Sequence, residues 1–271
     1  MTEWVRYRFN ILPFSHFLGV TLQQLIIIGI FTLAPWYAWG EQIERVKLYT
    51  YHDKPPYIME LKDSSGLYFD IVRLLNEFHD DVQYQLVLRS KTRIREELEK
   101  GQLEGAVLGV NPVWFGDNDQ IKYLWSDPLF YDTDEFVSSV KRPFDYLNPT
   151  SLHGKRYGGV QGYFYPKLHD AEKLEKLERI DASNEKALLE LVLKQQIDFA
   201  VVSRPTFFYY ARKHGWWTSL YLSHQAHQKY YRAILVPKKH KDKLGNLMKT
   251  TNSIGFKKHM KQLVSSYHIS E

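Results

Sequence analysis

The hydrophobic positions of this chain change their spacing in a repeating order. Residues 46–51 (VKLYTY) alternate and predict a strand that runs into a polar, proline-punctuated loop, His52-Asp53-Lys54-Pro55-Pro56. After Gly66, Phe69, Ile71, Val72, Leu74, Leu75 and Phe78 fall at helical spacing and predict an amphipathic helix. Residues 82–87 predict a second strand, residues 91–100 a helix closed by Gly101, and residues 105–110 (GAVLGV) a buried strand. This alternation of strands and helices implies a mostly parallel sheet with helices on both faces.

A second cycle begins after Pro143. Residues 157–161 predict a strand, and residues 165–177, rich in Lys and Glu, a helix. Ser183 stands where it would cap a further helix running to Lys194, with Ala187, Leu188, Leu191 and Val192 as its apolar stripe. Residues 197–202 (IDFAVV) and 230–237 (YYRAILVP) predict two more strands. The two halves repeat one plan without any fixed-period repeat, which describes two α/β lobes.

The first forty residues follow another pattern. Arg6 and Arg8 precede an uncharged stretch whose centre, residues 25–34 (LIIIGIFTLA), is nearly pure apolar sequence. It has the length of a signal-peptide core and is short for a bilayer span. Pro35 and then Ala38-Trp39-Gly40 supply a helix breaker and small residues at a cleavage site before Glu41. Residues 1–40 therefore read as a signal peptide. If uncleaved, and lengthened by residues 17–20, they read as an N-terminal anchor, and either way the remainder is placed in the periplasm.

Composition narrows the function. A chain of 271 residues that is 44% hydrophobic is large enough for two lobes with real cores. Lys+Arg 36 against Asp+Glu 31 is a small excess spread along the chain, with no basic stripe, so a nucleic-acid partner is not expected. The absence of cysteine removes disulfides, zinc-thiolate sites and thiol nucleophiles together. There is no glycine-rich phosphate loop and no nucleophile elbow. His224 and His227 lie three apart but have no evident third ligand, so neither a metal nor a cofactor is implied.

Six motifs in order carry a resemblance. They are Lys54-Pro55-Pro56-Tyr57, the segment Gly66-Leu67-Tyr68-Phe69-Asp70-Ile71, residues 101–109 (GQLEGAVLG), residues 125–129 (WSDPL), Leu152-His153-Gly154-Lys155 with residues 158–162, and Gln196-Ile197-Asp198-Phe199-Ala200. In these the chain resembles the bacterial solute-binding proteins of family 3, which serve amino-acid ABC importers. The resemblance implies an α/β, two-lobed periplasmic binding protein-like fold of type II with two hinge strands, near residues 134–140 and 229–235. Lobe 1 would comprise residues 41–138 plus 229–271, and lobe 2 residues 139–228 as an insertion. It implies a monomer that captures a small molecule between the lobes for the inner-membrane permease of an ABC importer. In open α/β sheets such a crevice lies at the carboxyl ends of the strands, and two lobes can close it by hinge motion.

The family's amino-acid anchors are missing. No Arg occurs in residues 110–119, where the resemblance would place the guanidinium that forks onto a ligand carboxylate. Ser203 stands in the position of the family's Asp for the ligand ammonium, and Tyr163 and Phe164 replace its pair of small residues. A free α-amino acid is therefore not the expected ligand. The positions at or next to the expected cleft are instead aromatic: Tyr51, Tyr57, Trp114, Phe115, Trp125, Tyr163 and Phe164, which suit flat or apolar groups, or cations held on their π faces. Asn111, Ser126, Gln161, Ser203 and Arg204 are the polar candidates beside them. Asp70 and Asp198 read as structural carboxylates.

Two other functions stay open on the sequence. One is a ligand-sensing domain or orphan receptor of the same fold. The other is an enzyme like cyclohexadienyl dehydratase, which requires an acid or base in the cleft; His52, Asp53 and Glu60 lie near it, but none has a nameable partner. The expectation is a binding protein and not an enzyme.

Overall fold

The computed structural model describes residues 43–269, so the leader read in residues 1–40 lies outside the described residues. The first cycle consists of β1 (Glu44–Thr50), α1 (Leu67–Glu77), β2 (Val82–Leu88), α2 (Lys91–Glu99) and β3 (Ala106–Val110). β1 pairs in parallel with β2 on one side and β3 on the other, as the succession of strands and helices predicts. α1 buries Leu67, Tyr68, Ile71 and Leu75. It can start only because Gly66 precedes it: at φ +121°, a Cβ there would stand 2.7 Å from the Tyr57 carbonyl oxygen.

The chain continues through the short β4 (Leu124–Trp125) into the long β5 (Phe130–Ser139). The second cycle is β6 (Lys155–Val160), α3 (Pro166–Lys173), β7 (Leu177–Ala182), α4 (Glu185–Leu193), β8 (Phe199–Ser203) and α5 (Arg204–His214). After β9 (Leu220–Leu222), the second long strand β10 (Gln228–Val236) leads to α6 (Gly245–Asn252) and α7 (Ile254–Ser266). The strands make one mixed sheet in the order β2-β1-β3-β10-β5-β8-β6-β7, with β4 on β10 and β9 on β5.

Three local readings change. The helix expected over residues 165–177 stops at Lys173, and β7 follows it after Glu175 takes a left-handed conformation at φ +55°. β7 is an edge strand in which only Leu177 is fully buried, so the alternation that would announce it is weak and its Glu and Arg residues resemble a helix surface. The cap of α4 is Asn184, whose side chain accepts the Ala187 amide; Ser183 stands one residue too early. α5, not signalled by periodicity, starts with Pro205 at its first turn, where a missing amide costs nothing.

β5 and β10 tie the two halves of the sheet together. They run antiparallel from Phe130 opposite Arg232 to Asp134 opposite Gln228. Beyond that stretch, β10 pairs with β3, and β5 pairs with β8. On the β3 side the core gathers Leu48, Leu67, Ile71 and Ile234 with Phe256 and Met260 of α7. On the β8 side, Val137, Leu188, Val192, Ile197 and Val202 form one cluster and Phe136, Tyr157 and Phe199 another. Among the described residues no helix is long and apolar enough to cross a membrane, and no group of three metal-ligating side chains occurs.

Candidate functional site

The strand ends and loops of the two halves meet over β5 and β10, where the core changes from apolar to charged. β1 ends at Thr50 and delivers Tyr51, His52 and Lys54; β10 contributes Tyr230 and Arg232, and β5 contributes Asp132 and Asp134. From the other half come Tyr163, which follows β6, and Glu185 in the first turn of α4.

Arg232 is among the most deeply buried side chains, and its charge is fully answered. Its Nε and Nη2 meet the Asp132 carboxylate at 2.7 Å, and Nη1 donates to the Gly109 carbonyl at 2.9 Å. Gly109 has φ +77°, and a Cβ there would collide with the Tyr68 hydroxyl, so the close approach of this carbonyl to Arg232 depends on glycine. Asp132 also accepts from the hydroxyls of Tyr57 and Tyr230. The guanidinium lies 4.5 Å from the centre of the Tyr57 ring and 5.4 Å from that of Trp114.

Arg232 Nη1 also reaches His52 Nε2 at 3.1 Å. A guanidinium can only donate, so Nε2 accepts and the neutral ring carries its proton on Nδ1, 3.5 Å from the Tyr163 hydroxyl in the other half. Burial, and then the charges of Arg232, Lys54 and Lys91, hold the His52 pKa well below its usual value. Burial also pushes the Asp134 carboxyl up to about 7, reinforced by Asp132 and Glu185 and opposed by Lys54 and by a hydrogen bond from Tyr230. Lys91, at the start of α2, is lowered to about 8 by burial and then by Arg95.

Two links join the halves through buried groups. Lys54 forms an ion pair with Glu185, both nearly inaccessible, and Glu185 Oε2 accepts from the Ser203 amide (3.2 Å) and hydroxyl (3.0 Å). The Thr206 hydroxyl donates to the Pro55 carbonyl at 2.6 Å. On one side of the Lys54–Glu185 pair lies an inner cavity of about 30 Å³ that is also bounded by His52, Trp114, Asp134 and Arg232. On the other is an outer groove of about 320 Å³ that reaches Ser90, Gln161 and Asn184.

The sequence-derived candidates divide accordingly. Tyr51, Trp114 and Tyr163 line the inner cavity, and Tyr51, Tyr163 and Gln161 line the outer groove. Tyr57 stands behind Arg232 and holds Asp132. Ser203 steadies Glu185 from beneath. The other five lie outside both linings. Asn111 caps the short turn Pro112–Phe115 and donates to the Tyr231 carbonyl, and Phe115 packs in the core beside Tyr51. The Trp125 indole donates to Asp117, Ser126 bridges the Asp127 carbonyl and the Ile234 amide, and Arg204 is paired with buried Glu135. Asp70 binds Arg73 and Tyr267, and Asp198 binds Arg142 and the Arg156 amide, both structural roles. His224 is held by Asp145, away from any metal-like cluster among the described residues.

Sequence reading passed over the charged members, Lys54, Asp134, Glu185 and Arg232. Two signals were present. Asp132 and Asp134 are two apart and share a face of β5, and Arg232 is the single charge in the apolar run YYRAILV.

No protein-family model matches the chain, and no curated protein sequence matches it. Solved structures do. A mutant of ArgBP from T. maritima is 13% identical, with a TM-score of 0.66 over 83% of this chain and 96% of that one. The substrate binding protein of an amino acid ABC transporter is 14% identical, with a TM-score of 0.64 over 83% of this chain and all of that one. An ancestral amino acid-binding protein, a precursor of cyclohexadienyl dehydratase, is 17% identical, with a TM-score of 0.61 over 82% of this chain and 95% of that one. At these identities the likeness establishes the fold, the two-lobed α/β fold of type II periplasmic binding proteins.

Proposed function

We propose that the protein is an extracytoplasmic receptor that captures one small molecule between its two lobes, residues 41–138 with 229–271 and residues 139–228. The observation that carries this reading is the place of its buried charges. The buried Lys54, Glu185 and Arg232 and the half-buried Asp134 lie together at the join of the halves, facing the inner cavity, whereas the cores on either side are apolar. Buried charge is expensive, and clefts are where proteins concentrate it for a ligand. Delivery to the permease of an ABC importer fits this reading, as does export by the leader in residues 1–40. The fold-mates described as amino-acid-binding proteins support a solute-binding role. A standard α-amino acid remains disfavoured, because the guanidinium of Arg232 is already engaged by Asp132.

One feature favours a second reading, acid–base catalysis of the dehydratase kind: Asp134 stands at the wall of the inner cavity, and burial pushes its carboxyl up to about 7, a range that suits a general acid. Turnover separates the two, since a receptor returns its solute unchanged.

The test is a thermal-shift screen against a small-molecule library, followed by fluorescence titration of tryptophan variants. A ligand bound only by the folded state raises the melting temperature. Trp114→Ala is expected to weaken binding of the hit at least tenfold, whereas Trp125→Ala, which loses the Asp117 contact, lowers stability and leaves the dissociation constant unchanged. An unchanged constant in Trp114→Ala would place the ligand elsewhere.

A further inference from the structure

The inner cavity and the outer groove are both lined by Tyr51, Lys54, Lys91, Tyr163 and Glu185, so these five side chains are the wall between them. Within that wall three contacts cross between the halves, Tyr51 and Lys91 on the Tyr163 ring and the Lys54–Glu185 pair, and of these the pair is the one between opposite charges. Its partners differ in how firmly they are held. Glu185 sits on a capped helix, with one carboxylate oxygen fixed by the amide and hydroxyl of Ser203 and the other facing Lys54. Lys54 sits on the loop between β1 and α1, carries a flexible four-carbon stem, and borders the open groove. When the pair parts, the lysine can swing into the groove on its flexible stem, whereas the carboxylate stays fixed on its helix by Ser203.

We propose that the cavity and the groove are two ends of one solute site, divided by Lys54, whose ammonium is a tethered stand-in for the solute's own cationic group on Glu185. The solute class is then an organic cation bearing an ammonium or amidinium group. This rests on the receptor reading above and specifies its chemistry. A cation that takes the place of Lys54 keeps Glu185 neutralised while Lys54 swings into the groove. An anion paired with Lys54 would strand Glu185 buried and uncompensated, which costs several kcal/mol. The surrounding walls suit a cation as well. Lys91 Nζ already lies 5.5 Å from the Tyr51 ring centre and 5.3 Å from that of Tyr163, and Asp134 offers a second carboxyl deeper in. The groove by itself has the volume of a small-molecule pocket, and the inner cavity adds the charged end that it borders.

The experiment is rescue by a free amine. Lys54→Ala removes the tethered ammonium, and n-propylammonium is titrated against it at constant ionic strength while the thermal midpoint is followed. The expected result is a saturable rise in midpoint, with an apparent affinity at least tenfold tighter than for the wild-type protein. No rise is expected for Lys54→Ala/Glu185→Gln, and none for propionate on either variant. Should Lys54→Ala fail to fold, Lys54→Ser leaves the same space open and serves the same comparison. Equal amine responses in the wild-type protein and the single variant, persistence of the response in the double variant, or rescue by propionate would each overturn the proposal. So would a library hit that is neutral or anionic and depends on Trp114, and that outcome leaves the receptor reading standing. A library without any binder overturns the receptor reading itself, whatever the amine does.

Discussion

Two buried ion pairs stand a short way apart at the join of the halves, and they are built differently. Arg232–Asp132 belongs to the crossing strands: three guanidinium nitrogens are engaged, and the carboxylate accepts from two tyrosine hydroxyls as well. Lys54–Glu185 spans the halves, borders both the cavity and the groove, and among the described residues gives the ammonium one hydrogen-bond acceptor besides the face of the Tyr57 ring. A buried charge pair is tolerable when every lone pair and proton is answered. The first pair meets that standard and can serve as a fixed post. The second falls short of it, since the ammonium has three protons and one hydrogen-bond acceptor, and its charge is answered only while the halves stay together, which suits a contact that opens. The same interaction type thus supports permanence in one place and exchange in another.

The sharpest way to break this contrast is to remove one partner from the fixed post. Arg232→Met leaves Asp132 buried without its cation, and Asp132→Asn leaves Arg232 with a neutral acceptor. Each is expected to cost about 3–5 kcal/mol of unfolding free energy, measured by urea denaturation of the purified protein. A loss below about 1 kcal/mol for both would mean that the network is no more than a local contact.

Asp134 tests how far the charge of the post reaches. Its carboxyl holds a proton up to about pH 7 in the folded protein but only to about 3.9 in an unfolded chain. Between those values the folded state binds more protons, so this group makes stability decline as pH rises from about 4 to 7 and adds no further change above. Asp134→Asn is expected to remove that decline, with a ceiling of about 4 kcal/mol for three pKa units, and so to be the more stable protein at pH 8. His52 and His227, both lowered by burial, act with the opposite sign below pH 6.5. The informative quantity is therefore the difference between variant and wild-type curves; a flat difference from pH 4 to 8 would show that Asp134 ionises normally.

The exchangeable pair should respond more gently. Glu185→Gln keeps the shape and an acceptor for the Ser203 donors but gives up the charge, and Lys54 has the groove as an exit. The expected cost is about 1–2 kcal/mol, accompanied by a larger radius of gyration in small-angle scattering as the halves part. A loss as great as that of Arg232→Met, with unchanged dimensions, would erase the distinction between the two pairs.

Much of the frame was legible in the residues. The alternation of β1, the helical stripe of α1, the glycine that ends α2 and the buried run of β3 are local signals, and local signals survive in one dimension. Tyr51, Trp114, Gln161 and Tyr163 fall on the linings of the cavity or the groove, because strand ends predict where a crevice opens. The charged members were not found, because each is ordinary by itself: Lys54 lies in a polar loop, and Glu185 in the first turn of a helix, where acids are common. Only the meeting of β1, β5, β10 and α4 makes a site of them. The same cause misassigned Trp125, Ser126, Asn111 and Arg204 to the cleft. Sequence position put them near strand ends, but partners distant in the chain, Asp117 for the indole and Ile234 for the hydroxyl among them, turn them into supports.

His227 is the limiting case of the contrast, a buried polar group with no answer at all. Among the described residues neither of its ring nitrogens has a hydrogen-bond partner, and the ring packs edge-on against Phe136 and Tyr165. Burial, and then Lys167, lowers its pKa to about 3, so the neutral form is the one that folds. His227→Phe replaces two unsatisfied nitrogens by a ring of similar shape in an aromatic surround. It is expected to stabilise the protein by about 1 kcal/mol at pH 7 in urea unfolding. The advantage should grow by about 1.4 kcal/mol for each pH unit below 6.5, because the unfolded wild-type chain takes up a proton that the folded ring refuses. Destabilisation at pH 7 would reveal a bridging water on the imidazole. His227 would then be a satisfied group like Arg232, and incomplete satisfaction would be confined to the pair that joins the two halves.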